Sequence, residues 1–273
     1  MKPQQQCIYL FIILTGFNSN VIAQMIRVTP GNFSNNGWTT EQVIQNPQSV
    51  ITPNTPFIEI QCEPNNPPPL DRGSVYFSLP TTANPTLRRI RLRSINYDDI
   101  PLKKISNYIH PNNVFMYSTY IMHNINESCI ELALQIDNDQ DGKVDFNLGF
   151  SPTIQHTFNN PTDNVPDFDK VVTQGWQEWN ASQGWWGIGV NAIPIPAELT
   201  QPFTLEYYNS IYPDARIINA TAGDHAGGGI RFTIGGGPDF NDFEGYLDGF
   251  KISKPRNNGN YTTYDFKGTR CGN

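Results

Sequence analysis

Residues 130–136 read Ile130-Glu131-Leu132-Ala133-Leu134-Gln135-Ile136, an alternation of aliphatic side chains with polar or small ones. In an extended chain successive side chains point to opposite faces, so Ile130, Leu132, Leu134 and Ile136 share one face and Glu131, Ala133 and Gln135 the other. This is the pattern of a strand in an antiparallel sheet with one face buried. The alternation recurs on both sides, at 74–79 (SVYFSL), 87–94 (LRRIRLRS), 114–122 (VFMYSTYIM), 144–150 (VDFNLGF), 229–234 (GIRFTI) and 246–252 (YLDGFKI). No long stretch has apolar residues at helical spacing. With 22 Gly and 22 Pro among 273 residues, turns separate these segments closely. The fold predicted is all-β, a two-sheet antiparallel β-sandwich. One short helix is expected at 204–212, where Leu205, Tyr208 and Ile211 recur three apart ahead of Pro213.

The first 23 residues have a different character. Lys2 is their only charge, an apolar run follows at 7–14 (CIYLFIIL), and the segment ends Val21-Ile22-Ala23. That order is the signature of a cleavable secretory signal, with cleavage expected before Gln24. The apolar run is far shorter than the roughly 20 residues that cross a bilayer, so no membrane span is expected. The exported chain divides into an N-terminal strand with an arm rich in Pro and Asn (24–72), the sandwich core (73–253) and a polar tail (254–273). Its destination is extracellular and oxidising. The surviving cysteines, Cys62, Cys129 and Cys271, match no zinc-binding spacing. One disulfide and a leftover thiol, or three unpaired thiols, are both compatible with them, and the spacing does not choose a pairing. The net charge of −7 and pI near 5.0 argue against a nucleic-acid partner.

The sharpest local motif lies between two of the alternating segments, at 137–145 (DNDQDGKVD). Carboxylates at every second position, followed by a glycine that permits a sharp turn, can wrap oxygen ligands around a hard cation such as calcium. Asp137, Asp139 and Asp141 would contribute side chains, Lys143 its carbonyl and Asp145 a further carboxylate. Leu148 stands where a full twelve-residue EF-hand loop has its bidentate Glu, and the flanks read as strands. The competing reading is a polar hairpin turn built on Asp141-Gly142.

Four tryptophans, Trp176, Trp179, Trp185 and Trp186, fall in one segment, GWQEWNASQGWWG. Flat aromatic faces stack on sugar rings, which makes this a candidate glycan-binding segment. Strand alternation separates Trp176 from Trp179 and Trp185 from Trp186, so one of each pair is expected in the core. Arg89, Arg91 and Arg93 line one strand face, either as a solvated surface or as a dock for an anionic glycan or a partner's carboxylates. Catalytic signatures are missing: there is neither HExxH nor GxSxG, and the four histidines are scattered. Glu244 and Asp248, four apart and so on one face of a strand, are the carboxylate pair that could serve a polysaccharide hydrolase.

The segments 89–122, 137–146 (DNDQDGKVDF), 176–186 (WQEWNASQGWW), 212–237 and 242–252 (DFEGYLDGFKI) together resemble a secreted sandwich module of mainly bacterial surface proteins. That module is similar in outline to concanavalin-like and laminin-G-like jelly rolls, in which a closing strand of the form GYxDxxxI pairs near the first strand. The resemblance implies fold and export and assigns no activity. Together the readings lead to a calcium-stabilised carbohydrate-binding or adhesion module whose partner is an extracellular glycan or surface protein. A structural extracellular protein without small ligand, and a polysaccharide hydrolase, are the alternatives.

Overall fold

The computed structural model describes residues 23–44, 57–61, 69–70, 73–80, 88–106, 114–123, 128–159, 165–189, 194–220, 228–235, 242–253 and 261–267. The strands among them are β1 (Ala23–Val28), β2 (Trp38–Ile44), β3 (Phe57–Gln61), β4 (Ser74–Leu79), β5 (Arg88–Ser94), β6 (Ile100–Pro101), β7 (Phe115–His123) and β8 (Glu131–Asp137). They continue with β9 (Phe146–Phe150), β10 (Trp176–Asn180), β11 (Gly187–Ile188), β12 (Arg216–Ile217), β13 (Ile230–Gly235), β14 (Phe243–Ser253) and β15 (Tyr261–Phe266). Three short helices, α1 (Lys103–Ser106), α2 (Pro152–Gln155) and α3 (Leu205–Ile211), lie in the connections.

The strands form two sheets. In the first, β1-β15-β14-β4-β3 are neighbours, and β7 and then β10 extend the other side of β14. The second runs β11-β9-β8-β13-β5-β2, with β12 paired to the end of β8 and β6 to β12. Every strand pairing is antiparallel except β1 with β15. The all-β, two-sheet sandwich read from the alternation is the architecture found.

Alternation places the core where it was expected. From the second sheet Leu132, Leu134, Ile90, Leu92, Phe232 and Ile234 are buried; from the first, Phe77, Phe115, Tyr117, Leu247, Phe250 and Phe266. Trp38 on β2 stands at the junction, with Phe232, Phe250, Tyr264 and Phe266 rings 5.2–6.3 Å away. The predicted helix is α3: Thr204 caps it, its Oγ1 accepting from Tyr207 N at 3.1 Å, and it ends before Pro213.

Residues 254–273 are more than a polar tail, because β15 lies between β1 and β14 with Thr262, Thr263, Tyr264, Asp265 and Phe266 all buried. Aromatic and β-branched residues fit a pleated sheet even where hydroxyls keep the segment polar overall. The GYxDxxxI segment lies in β14, which pairs with β4, the first strand of the 73–253 core, as well as with β7 and β15. Cys129 is a free, fully buried thiol, its Sγ 3.3 Å from Thr119 Oγ1. Burial pushes its pKa up to about 12, which makes it unreactive at neutral pH. Residues 1–22, Cys62 and Cys271 lie outside the described residues. Among the described residues no helix is long and apolar enough to cross a membrane.

Candidate metal site

The loop between β8 and β9 begins at Asp137, the last residue of β8, and reaches β9 at Phe146. Two left-handed backbone positions, Gln140 (φ 66°) and Gly142 (φ 80°), curl it tightly. A Cβ on Gly142 would meet open space, so the left-handed backbone alone favours glycine there. Asp137 organises the turn from inside and is only 2% exposed. Its Oδ1 accepts from Gln140 N at 2.7 Å and Asp139 N at 3.2 Å, and its Oδ2 accepts from Gly142 N at 2.8 Å. Asp145 closes the loop by accepting from Asn138 N at 2.7 Å. From the helix side, Tyr208 Oη donates to Asn138 Oδ1 at 2.8 Å.

Carboxylate oxygens of Asp137, Asp139 and Asp145 thereby converge to within 4.8 Å of one another. This acidic triad can hold a metal ion, and its all-oxygen donor set suits a hard cation. Of the other two residues expected as ligands, Asp141 is turned outward, its carboxylate accepting from Lys143 N at 2.8 Å and from Lys143 Nζ. The pair holds the Asp141 carboxyl below the usual carboxylate range. Asp145 is shifted oppositely: burial first, then the charges of Asp139, Asp137 and Asp141, raise its pKa against the opposing bond from Asn138 N. A cation placed among the three would reverse the repulsive contribution and compete with a proton for Asp145. A cavity of about 300 Å³ opens beside the triad, lined by Asn138, Asp139, Asp145, Tyr212, Pro194 and Pro196 among others.

The tryptophans part company as strand geometry requires. Trp179 is in the core with its Nε1 donating to Thr119 Oγ1 at 2.8 Å, and Trp186 is buried beside Phe115 with its Nε1 donating to Ala181 O at 2.8 Å. Trp176 is half-buried on the outer face of the first sheet, in a row with Tyr120, Tyr246 and Tyr76. Trp185 is half-buried against Phe158. The four therefore do not form one platform.

Glu244 and Asp248 share β14, four residues apart, roughly 13 Å at the usual strand rise. That exceeds the separation of about 5–9.5 Å in paired glycosidase carboxylates. Asp248 is fully buried; burial pushes its carboxyl up to about 7 against hydrogen bonds from the backbone of Phe266, Gly249 and Leu70, with Asp265 adding to the rise.

The partner of the arginine strand is not legible in the sequence. Arg231 of β13 lies directly opposite Arg93 of β5, and only the strand order brings them together. No family model matches this chain, and neither a curated protein nor a solved structure matches it.

Proposed function

We propose that this chain is an exported, jelly-roll-like β-sandwich that is stabilised by calcium and serves as a carbohydrate-binding or adhesion module on an extracellular glycan or surface protein. The convergence of Asp137, Asp139 and Asp145 in a loop already folded by backbone N–H bonds carries this reading. Three carboxylates leave several of calcium's six to eight oxygen positions for the Lys143 carbonyl and water, which suits the weak sites of calcium-rich extracellular fluids. The signal-like character of residues 1–23 agrees with that destination. Partly accessible Trp176 and Trp185, together with the polar outer face of the second sheet, supply the surface for glycans. The test is retention of the purified chain on immobilised glycans. A defined glycan class retained in calcium, with the signal lost on chelation, is the expected result; no glycan retained in calcium contradicts the binding function.

A structural extracellular protein without small ligand is the second reading. It is favoured by the burial of Trp179 and Trp186, which removes half of the candidate aromatic contacts. It is distinguished by a chelator-sensitive melting temperature without any glycan signal.

A further inference from the structure

Two strands share one edge of β14. Residues 243–247 of β14 pair with β4 and residues 250–253 pair with β15, while β7 runs along the opposite edge. The start of β4 and the end of β15 therefore meet beside residues 248 and 249. There β14 bulges: its register against β7 shifts, and Gly249 is left-handed (φ 64°). Strand alternation puts Val75, Leu247, Tyr264 and Phe266 in the core, so Ser74, Asp248 and Asp265 point to the outer face. All three are nonetheless 0% exposed, and Leu70 covers the bulge, 3.8 Å from where a Cβ on Gly249 would lie.

Oxygen-bearing side chains thus meet in a place closed to solvent. Asp248 Oδ1 accepts from Phe266 N at 3.2 Å, which sets this carboxylate against the peptide that joins Asp265 to Phe266. Asp265 Oδ2 accepts from Arg27 Nε at 3.3 Å. Asp248 Oδ2 and Ser74 Oγ are sealed from solvent, and neither has a hydrogen-bond partner among the described residues. Ser74 lies one place beyond the Val75–Leu247 pair, across from Asp248. Side chains so placed have Cβ atoms about 4.5–5.5 Å apart. The two oxygens do not bond each other, so both remain able to bond one small guest between them. Ser118 of β7, 2% exposed, flanks Asp248 on its other side. Buried charges are stabilised by a counter-charge or a bound ion. Asp265 has the Arg27 guanidinium, whereas the described residues give Asp248 no ion pair.

We propose that Asp248 Oδ2, Ser74 Oγ and the neighbouring Asp265 carboxylate hold a buried monovalent hard cation, sodium or potassium, that pins the meeting point of β4, β14 and β15. An all-oxygen donor set suits a hard cation. One positive charge suffices, because Asp265 already faces Arg27 and Asp248 is the charge left to balance. A bridging water would satisfy the two oxygens and leave that charge in place. The site lies on the other sheet from the loop triad and is independent of it.

The test is the melting temperature of the purified chain in a calcium chelator, as sodium or potassium replaces choline at constant ionic strength. Mildly alkaline pH keeps Asp248 ionised, since burial pushes its carboxyl up to about 7. Wild type and Asp139→Asn, in which the loop triad is broken, are both expected to rise by about 3–6 °C once the cation is roughly ten times its dissociation constant. Asp248→Asn is expected to abolish the rise. Ser74→Ala removes a hydroxyl that bonds no described residue, so it should melt close to wild type in choline and need about tenfold more cation for the same rise. It carries the test if Asp248→Asn does not fold. A melting temperature that neither cation raises over choline, or a titration that Ser74→Ala leaves unchanged, overturns the site. A rise in wild type that Asp139→Asn loses assigns the cation to the loop and likewise overturns it. A calcium response of the Asp139→Asn chain that the added Asp248→Asn change removes overturns the monovalent class.

Discussion

Replacing Trp38 with alanine is expected to lower the unfolding free energy by about 3–5 kcal/mol, the usual range for deleting a buried tryptophan side chain. Four aromatic rings converge on it from β13, β14 and β15, and the residue is 0% exposed. The surrounding rings could fill the void only by shifting both sheets, which close-packed interiors resist. For a domain of this size the loss corresponds to roughly 10 °C in melting temperature. Trp38→Phe should be much milder. The indole Nε1 has no hydrogen-bond partner among the described residues, so phenylalanine removes a buried donor that they leave unsatisfied, along with some volume. Thermal or urea unfolding of both variants checks the order; equal losses would contradict this account of the core.

Asp137→Ala is expected to be the most damaging change in the acidic loop, costing about 2–4 kcal/mol even without any cation. It strips the acceptor from Gln140 N, Gly142 N and Asp139 N, and bonds to an ionised group are each worth about 1.5–3 kcal/mol before solvent compensates the exposed ones. Asp139→Asn provides the contrast. Asp139 is exposed, so its replacement should change cation-free stability by no more than about 0.5 kcal/mol while removing one of three converging ligands. Denaturant melts in chelator measure the first effect and cation titrations the second. Similar stability losses for both variants would show that Asp137 does not organise the loop.

These two sites differ in how legible they were. Alternation gave the core strands because burial on one face imposes a period of two, and seven predicted segments correspond to β4, β5, β7, β8, β9, β13 and β14. β15 was not legible, since Tyr261-Thr262-Thr263-Tyr264-Asp265-Phe266 hides its burial behind hydroxyls and a carboxylate. Its parallel partnership with β1, more than 230 residues distant, leaves no local trace in the sequence. In the loop, spacing marked four carboxylates as ligands, yet that of Asp141 turns to the Lys143 ammonium while the other three converge. Spacing shows that carboxylates recur and cannot show which way each rotamer turns. The opposed faces of Trp176 and Trp179 were legible, because three residues along a strand reverse direction. Which of them faces inward required the partner strand β7. Arg231 joins the arginines of β5 for a similar reason, through a pairing across more than 130 residues.

The calcium proposed for the Asp137, Asp139 and Asp145 triad would stabilise the folded sandwich. The melting temperature of the purified chain against free calcium, at neutral and then at acidic pH, measures this. A cation that binds only the folded state adds about 2.7 kcal/mol at one hundred times its dissociation constant, or roughly 5–10 °C here. A shift of that size is expected at neutral pH, with its loss in Asp139→Asn and its decline as acid protonates Asp145, whose pKa is raised in the cation-free fold. A melting temperature that millimolar calcium leaves unchanged, or an equal rise in the Asp139→Asn variant, would contradict it.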